Sequence, residues 1–280
     1  PLSMLDDAAT RLVAANGLEF AFQVHGAKDA PAIVLIRGLG TQLIEWSPIL
    51  IEALAAGGLK VVIFDNRDVG LSSKLDHDYA LSDMADDVAA LMAALGESRF
   101  HVFGISLGGM VAQLVAVRYP ELVGCLFSVM SSTGNPDLPR ASKAVRERML
   151  MMPKSPAERI DLDVENRAVW GSPGYPESES VRRAMSEAVH ERGHHPEGVS
   201  RQMLAAMDDG SRVERLSAIS APTLVIHGAD DPLVLPEGGR DTARCIPGAE
   251  LLLIPGMGHN IPDSLAPAIA KAVLTFVVAH

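Results

Sequence analysis

Phe100-His101-Val102-Phe103-Gly104-Ile105-Ser106-Leu107-Gly108-Gly109-Met110-Val111-Ala112-Gln113-Leu114-Val115-Ala116 is the stretch on which the reading of this chain turns. An apolar run that reads as a strand passes through Gly104-Ile105-Ser106-Leu107-Gly108 into an apolar run that reads as a helix. The five central residues match G-x-S-x-G, the pattern of a nucleophile elbow. A serine on so sharp a turn takes backbone angles that carry its Oγ clear of both elements. Glycines two residues to either side leave no Cβ to strike the neighbouring strand or helix. Five residues alone occur by chance in many chains; the strand before them and the helix after them give the match its weight.

The rest of the chemistry follows in a matching order. Thr223-Leu224-Val225-Ile226-His227-Gly228-Ala229-Asp230-Asp231-Pro232 is a short buried strand ending in an acidic turn. Leu251-Leu252-Leu253-Ile254-Pro255-Gly256-Met257-Gly258-His259 is another strand, running into a glycine-bracketed histidine. Serine, acid and histidine in that order are the triad order of the α/β-hydrolases. On these three motifs the chain resembles that superfamily over nearly its whole length. The resemblance implies an α/β-hydrolase fold: a mostly parallel central sheet flanked by helices, with a helical cap inserted.

Bulk properties agree. The chain has 280 residues, 48% of them hydrophobic and 21% charged, enough for one large α/β domain with an insertion or for two small domains. A formal net charge of -11 with no dense Lys/Arg run argues against nucleic acid and anionic membrane as partners. Cys125 and Cys245 are the only cysteines and read as two buried free thiols, without metal-binding spacing. No secretory signal and no bilayer-spanning run is visible, so a cytoplasmic location is expected.

Leu18 to Val24 alternates like an edge strand of an antiparallel pair, and Ile33–Ile36 and Val61–Phe64 are continuous apolar runs suited to parallel strands covered on both faces. Trp46 to Ala56 has helical periodicity and stops at Gly57-Gly58; Ser82 to Leu95 is a second helix, capped by Ser82 and ended by Gly96. Strand and helix alternate to about Val129 and again from Thr223, as a parallel sheet with right-handed crossovers requires. Between them the pattern breaks into proline-separated helical segments rich in methionine, with no β-branched strand run. The expected organisation is a core over residues 1–130, a helical cap over 131–217 above the C-terminal ends of the strands, and the rest of the core over 218–280.

A serine hydroxyl needs a base, and His259, just past a strand and between Gly258 and Asn260, is placed to turn its ring back to the elbow. Of the two available carboxylates, the family spacing after the strand-ending Gly228 selects Asp231 and leaves Asp230 as a turn-stabilising neighbour. Two backbone N–H groups should meet the charge that develops on a carbonyl oxygen: Leu107, after the nucleophile, and Leu39, in the loop after the first parallel strand. In relatives that loop often begins His-Gly; here it is Arg37-Gly38-Leu39-Gly40, so how it is braced differs. Asp65-Asn66-Arg67-Asp68-Val69-Gly70-Leu71-Ser72 resembles the family's D-x-R-G-x-G-x-S turn with Asp68 in place of the first glycine; Asp65 and Arg67 are expected to fix loops, not to touch substrate.

Other side chains carry weaker signals. His190 and His194 are spaced for metal on one helix face, but Gly193 should end that helix and a third ligand is missing, so no metal is expected. His101 and His227 read as strand residues satisfied within the fold. Met130, Met257 and Trp170 adjoin the motif-bearing segments and are candidate pocket residues, with plain packing as the alternative. Neither a dinucleotide glycine loop nor a P-loop is present, so no cofactor is implied.

Ser106 at the elbow argues against the aspartate-nucleophile branches, dehalogenase-like and epoxide hydrolase-like. Asp65–Gly70, Ala221-Pro222-Thr223-Leu224-Val225-Ile226 and Ile254–His259 look most like the aclacinomycin methylesterase branch. That resemblance implies a serine carboxylic-ester hydrolase with a Ser-His-Asp triad, an acyl-enzyme and a small-molecule ester substrate. The alternatives are a carbon–carbon bond hydrolase, another cofactor-free member such as a lactonase or perhydrolase, and a non-catalytic ligand receptor.

Overall fold

The computed structural model describes residues 4–280; Pro1-Leu2-Ser3 lies outside the described residues. In chain order the elements are β1 (Arg11–Ala15), β2 (Leu18–His25), β3 (Ala32–Ile36), α1 (Pro48–Ala56), β4 (Lys60–Phe64), α2 (Leu81–Ala94), β5 (Phe100–Ile105), α3 (Leu107–Arg118) and β6 (Val123–Val129). They continue with α4 (Lys143–Met149), α5 (Pro156–Val169), α6 (Glu179–Arg192), α7 (Pro196–Asp209), α8 (Val213–Leu216), β7 (Thr223–Gly228), α9 (Pro236–Cys245), β8 (Glu250–Ile254) and α10 (Ala266–Ala279).

All eight strands form one sheet in the order β1-β2-β4-β3-β5-β6-β7-β8. Both pairings of β2 are antiparallel and every other pairing is parallel. Ile33–Ile36 in β3 and Val61–Phe64 in β4 are buried throughout, the double coverage expected of these continuous apolar runs. Helices α2 and α3 seal one face over Phe20, Val34, Phe64 and Val102, and α1 and α10 seal the other over Ile33, Phe103, Phe127 and Met257.

The structure departs from the local expectations in four places. Leu18–His25 is not the edge: β1 pairs outside it through an Asn16-Gly17 hairpin, with φ of 48° and 73°, the left-handed angles a two-residue turn needs. The first helix starts at Pro48, capped by Ser47, which leaves Trp46 buried beneath it. Ser82 does not cap α2: the helix begins a residue earlier, and Asp83 accepts from the Ala80 N–H at 2.8 Å. Both cysteines are free as expected, but Cys245 is only half-buried.

Four helices, α4 to α7, form an excursion between β6 and β7. Its ends meet: the Arg212 N–H donates to the Thr133 carbonyl at 2.7 Å, while the Arg212 side chain, fully buried, donates to Gln113, Ser132 O and Asp209. Gly134 and Gly210 pass so closely that a Cβ on Gly134 would lie 2.2 Å from the Gly210 carbonyl oxygen. By α8 the chain is back in the core layer, with Leu216 buried among the residues of the α2–α3 side. Among the described residues no helix is long and apolar enough to cross a membrane.

Candidate active site

At the end of β5 the backbone turns at Ser106 with φ 53° and ψ -121°, a conformation rarely taken by a residue with a Cβ. The flanking glycines make the turn feasible. A Cβ on Gly104 would sit 2.0 Å from the Gly108 carbonyl oxygen, and one on Gly108 would sit 2.3 Å from the carbonyl oxygen of Ile36 in β3. The Ser106 N–H donates to Val129 O at 2.9 Å, and the Ser131 hydroxyl donates to Ser106 O at 2.7 Å, so the strained residue is held from both sides.

The turns after β7 and β8 bring the other two motifs to the same point. His259 Nε2 lies 3.0 Å from Ser106 Oγ, and His259 Nδ1 lies 2.7 Å from Asp231 Oδ2. The second oxygen of Asp231 accepts the N–H groups of Leu233 and Val234, both at 2.9 Å. Asp230 faces away and accepts from the Gly256 N–H at 2.7 Å, tying the acid turn to the histidine turn. Ser106, His259 and Asp231 thus form one hydrogen-bonded chain across three strand ends, and Asp230 stands outside it.

The loop after β3 passes directly beside the elbow: a Cβ on Gly38 would be 3.3 Å from Ser106 Cβ. Among the described residues neither the Leu39 N–H nor the Leu107 N–H has an acceptor. Arg37, where relatives often carry histidine, turns inward. Its guanidinium stacks over Trp46 at 4.7 Å and donates to Thr41 Oγ1 at 3.2 Å, and the Thr41 hydroxyl donates in turn to Gly38 O at 2.9 Å. Burial lowers the Arg37 pKa to about 10, against the opposing pull of Glu45, so the side chain stays cationic at neutral pH.

The Asp65–Ser72 turn is loop machinery, as expected. Asp65 accepts the N–H groups of Leu43 at 2.7 Å and Leu71 at 3.0 Å, and Arg192 of α6 at 2.7 Å; burial pushes its carboxyl upward while Arg192 pulls it down. Arg67 grips Asp87 through two hydrogen bonds of 2.6 and 2.8 Å. Asp68, at φ 68°, accepts from Arg201 of α7 at 2.9 and 3.1 Å.

The candidate pocket residues are placed differently from one another. Met130 and Met257 are sealed in the core on the α1–α10 side, at 1% and 0% exposure, the packing alternative. Trp170 meets the histidine turn through its backbone: its carbonyl accepts the His259 N–H at 2.7 Å. Beside it, Gly171 O comes so close to Gly258 that a Cβ there would be 2.1 Å away, and Ser172 Oγ accepts the Gly258 N–H at 2.9 Å. Ser172 and Gln202, which hold the turns around the site, carry no signal in the local sequence. His101 Nδ1 accepts from the Cys125 N–H at 3.0 Å, where the β5–β6 register shifts. His227 is fully buried, with Nε2 2.7 Å from Val234 O and Nδ1 without a partner among the described residues; burial holds its pKa below the usual value. His190 and His194 stack at 5.5 Å, and α6 ends at Arg192 just before Gly193.

Residues 31–264 match the family model described as alpha/beta hydrolase fold. Rhodomycin D methylesterase of Streptomyces sp. (strain C5) is 30% identical over 270 residues, covering 88% of this chain and 90% of the relative. A putative carbamate hydrolase of Variovorax paradoxus (strain S110) is also 30% identical, covering 91% of this chain and 95% of the relative. Among solved structures, the enol-lactonase of Burkholderia xenovorans LB400 superposes with a TM-score of 0.79 at 25% identity, covering 96% of this chain and 100% of that one. With the elbow, the strand order and the chain order of its three motif residues, this chain belongs to the α/β-hydrolase family, on the side of its aclacinomycin methylesterase-like members.

Proposed function

We propose that this chain is a serine carboxylic-ester hydrolase working through an acyl-enzyme on a small to medium apolar ester. The observation that carries the reading is the relay from Ser106 Oγ to His259 Nε2 at 3.0 Å and from His259 Nδ1 to Asp231 at 2.7 Å, set on a strained elbow. As Ser106 Oγ attacks the ester carbonyl carbon, its proton passes to His259 Nε2. Asp231 accepts from Nδ1–H, which fixes the tautomer and offsets the imidazolium charge. The electron pair displaced onto the carbonyl oxygen meets the N–H groups of Leu39 and Leu107. Collapse of the adduct breaks the bond to the alcohol oxygen, which leaves with the proton from His259. Water then adds to the acyl carbon, giving its proton to His259; the second collapse frees the acid and returns the proton to Ser106. In this reading residues 131–217 are a cap over the site, no metal or cofactor takes part, and the location is cytoplasmic.

The likeness to a methylesterase supports an ester substrate. Turnover of p-nitrophenyl esters of graded acyl length, with and without a serine-directed phosphonate, tests it. Hydrolysis abolished by one phosphonate adduct on Ser106 is the expected result. Turnover that survives Ser106→Ala, or products other than an acid and an alcohol, would overturn it.

A further inference from the structure

Leu39 is the one proposed oxyanion donor that sits on a loop instead of a helix, so something must aim it. A peptide N–H points opposite to the carbonyl of its own peptide plane. The plane holding Leu39 N–H is pinned through Gly38 O, which accepts from both the hydroxyl of Thr41 at 2.9 Å and its N–H at 3.2 Å. The next plane, Leu39–Gly40, is pinned from outside the core: the Gly40 N–H donates to Gln202 Oε1 at 2.9 Å, and Gln202 Nε2 donates to Arg67 O at 2.9 Å. Gln202 is carried on α7, is fully buried, and has no solvent to substitute for either partner. One turn earlier Val199 fills the space a side chain would need at position 40: a Cβ on Gly40, at φ +64°, would be 2.7 Å from Val199 Cγ2. Arg201, the residue before Gln202, grips Asp68 and fixes the same helix to the same edge of the sheet.

We propose that Gln202 is a positioning residue for ester hydrolysis: from the helical insertion it holds the Gly40 peptide, so that docked α7 and the Thr41 clamp on Gly38 O together aim Leu39 N–H at the oxyanion. The proposal rests on the serine-hydrolase reading. It makes α7 part of the machinery that stabilises the transition state, not only a cover over the substrate.

The test compares wild type with Gln202→Met, which fills the space without either hydrogen bond, and Gln202→Asn, which withdraws the amide by one methylene and leaves only a small void. Gln202→Glu is the rescue, since a buried neutral carboxyl accepts from Gly40 and donates to Arg67 O as the amide does. Three quantities are read for each: kcat and KM on a p-nitrophenyl ester, the Ki of an alkyl boronic acid whose tetrahedral adduct on Ser106 places an oxygen at the oxyanion position, and the unfolding temperature. Gln202→Met should lower kcat by about tenfold or more, short of the loss of a whole donor. KM should stay near wild type, boronate affinity should fall by the same factor as kcat, and Gln202→Glu should restore both. Should the methionine variant not fold, Gln202→Asn gives the same pattern in attenuated form. A folded variant with unchanged kcat and boronate affinity would reduce Gln202 to a packing residue while leaving the serine-hydrolase reading standing. A wild type that neither turns over esters nor takes the phosphonate would overturn both.

Discussion

Asp231→Asn is the substitution whose outcome the hydrogen bonds dictate most closely. The amide can lie two ways. With its oxygen toward the Leu233 and Val234 N–H groups, both 2.9 Å bonds survive, and the NH2 then faces His259 Nδ1. The imidazole accommodates this at no loss by carrying its proton on Nε2, so that Nδ1 accepts. Turned over, the amide nitrogen would oppose two buried N–H donors, at about 1–3 kcal/mol for each bond lost. The first arrangement wins, and it is the unproductive one: His259 Nε2–H cannot take a proton from Ser106. By analogy with the wrong-tautomer effect in triad enzymes, kcat falls by about 10⁴, or roughly 5.5 kcal/mol of barrier. Initial rates on a p-nitrophenyl ester from pH 6 to 9, beside a melting curve, measure it; the fold should survive because both backbone N–H bonds of the acid turn are kept. Asp230→Asn, which touches only the Gly256 N–H, should cost less than tenfold. A loss under tenfold at Asp231, or a greater loss at Asp230, would refute the assignment.

Other outcomes follow from the same geometry. Ser106→Gly should abolish turnover yet raise stability by about 1 kcal/mol or more, because φ of 53° strains any residue with a Cβ; an unchanged or lower unfolding temperature would argue against strain at the elbow. Gly258→Ala should lower kcat while leaving the sheet folded, since its Cβ must displace the Gly171 carbonyl 2.1 Å away and with it the segment 170–172 bonded to the histidine turn; wild-type kcat would show that segment to be passive. Burial depresses His227 and His101 below the ordinary histidine value of 6.5, so the unfolded chain binds more protons than the folded one as pH falls below about 6.5. Their contribution to stability is complete above that pH and is lost on acidification. Unfolding temperatures from pH 8 to 5 should therefore decline, and less steeply in His227→Gln.

What the sequence disclosed was whatever depends on neighbours in the chain. Gly104 and Gly108 are readable because the collisions they avoid are built into a strand–turn–helix, whereas Asp231 is told from Asp230 only by the family spacing after Gly228 that the resemblance supplies. The Asn16-Gly17 turn was equally local; passing over it cost the edge strand β1. Gln202 is of another kind. Its partner Gly40 lies 162 positions away, and a glutamine on a half-polar helix looks like any solvated residue until the excursion is folded back on the sheet. Met130 and Met257 show the opposite failure, being adjacent in sequence to the motifs yet facing into the core.

The excursion touches the histidine turn and the loop after β3 at separate points, through backbone and side chain alike. Residues 170–172 hold the histidine turn, by Trp170 O on the His259 N–H and Ser172 Oγ on the Gly258 N–H. Residues 199–202 hold the loop after β3, by Gln202 on the Gly40 N–H and by Val199 packed against Gly40. A lid that only admits substrate would need neither contact, and its movement would leave kcat untouched. Replacing residues 135–209 by a short linker between Gly134 and Gly210, whose backbones already touch, separates the two cases. The sheet and both its helix layers should still fold, and Ser106 should still react slowly with a phosphonate, because the elbow is held by β3, β5, β6, α3 and Ser131, all outside the excised residues. Ester turnover should be lost with kcat falling much further than KM rises; a truncated chain that keeps its kcat would mean that the core alone aims both His259 and Leu39.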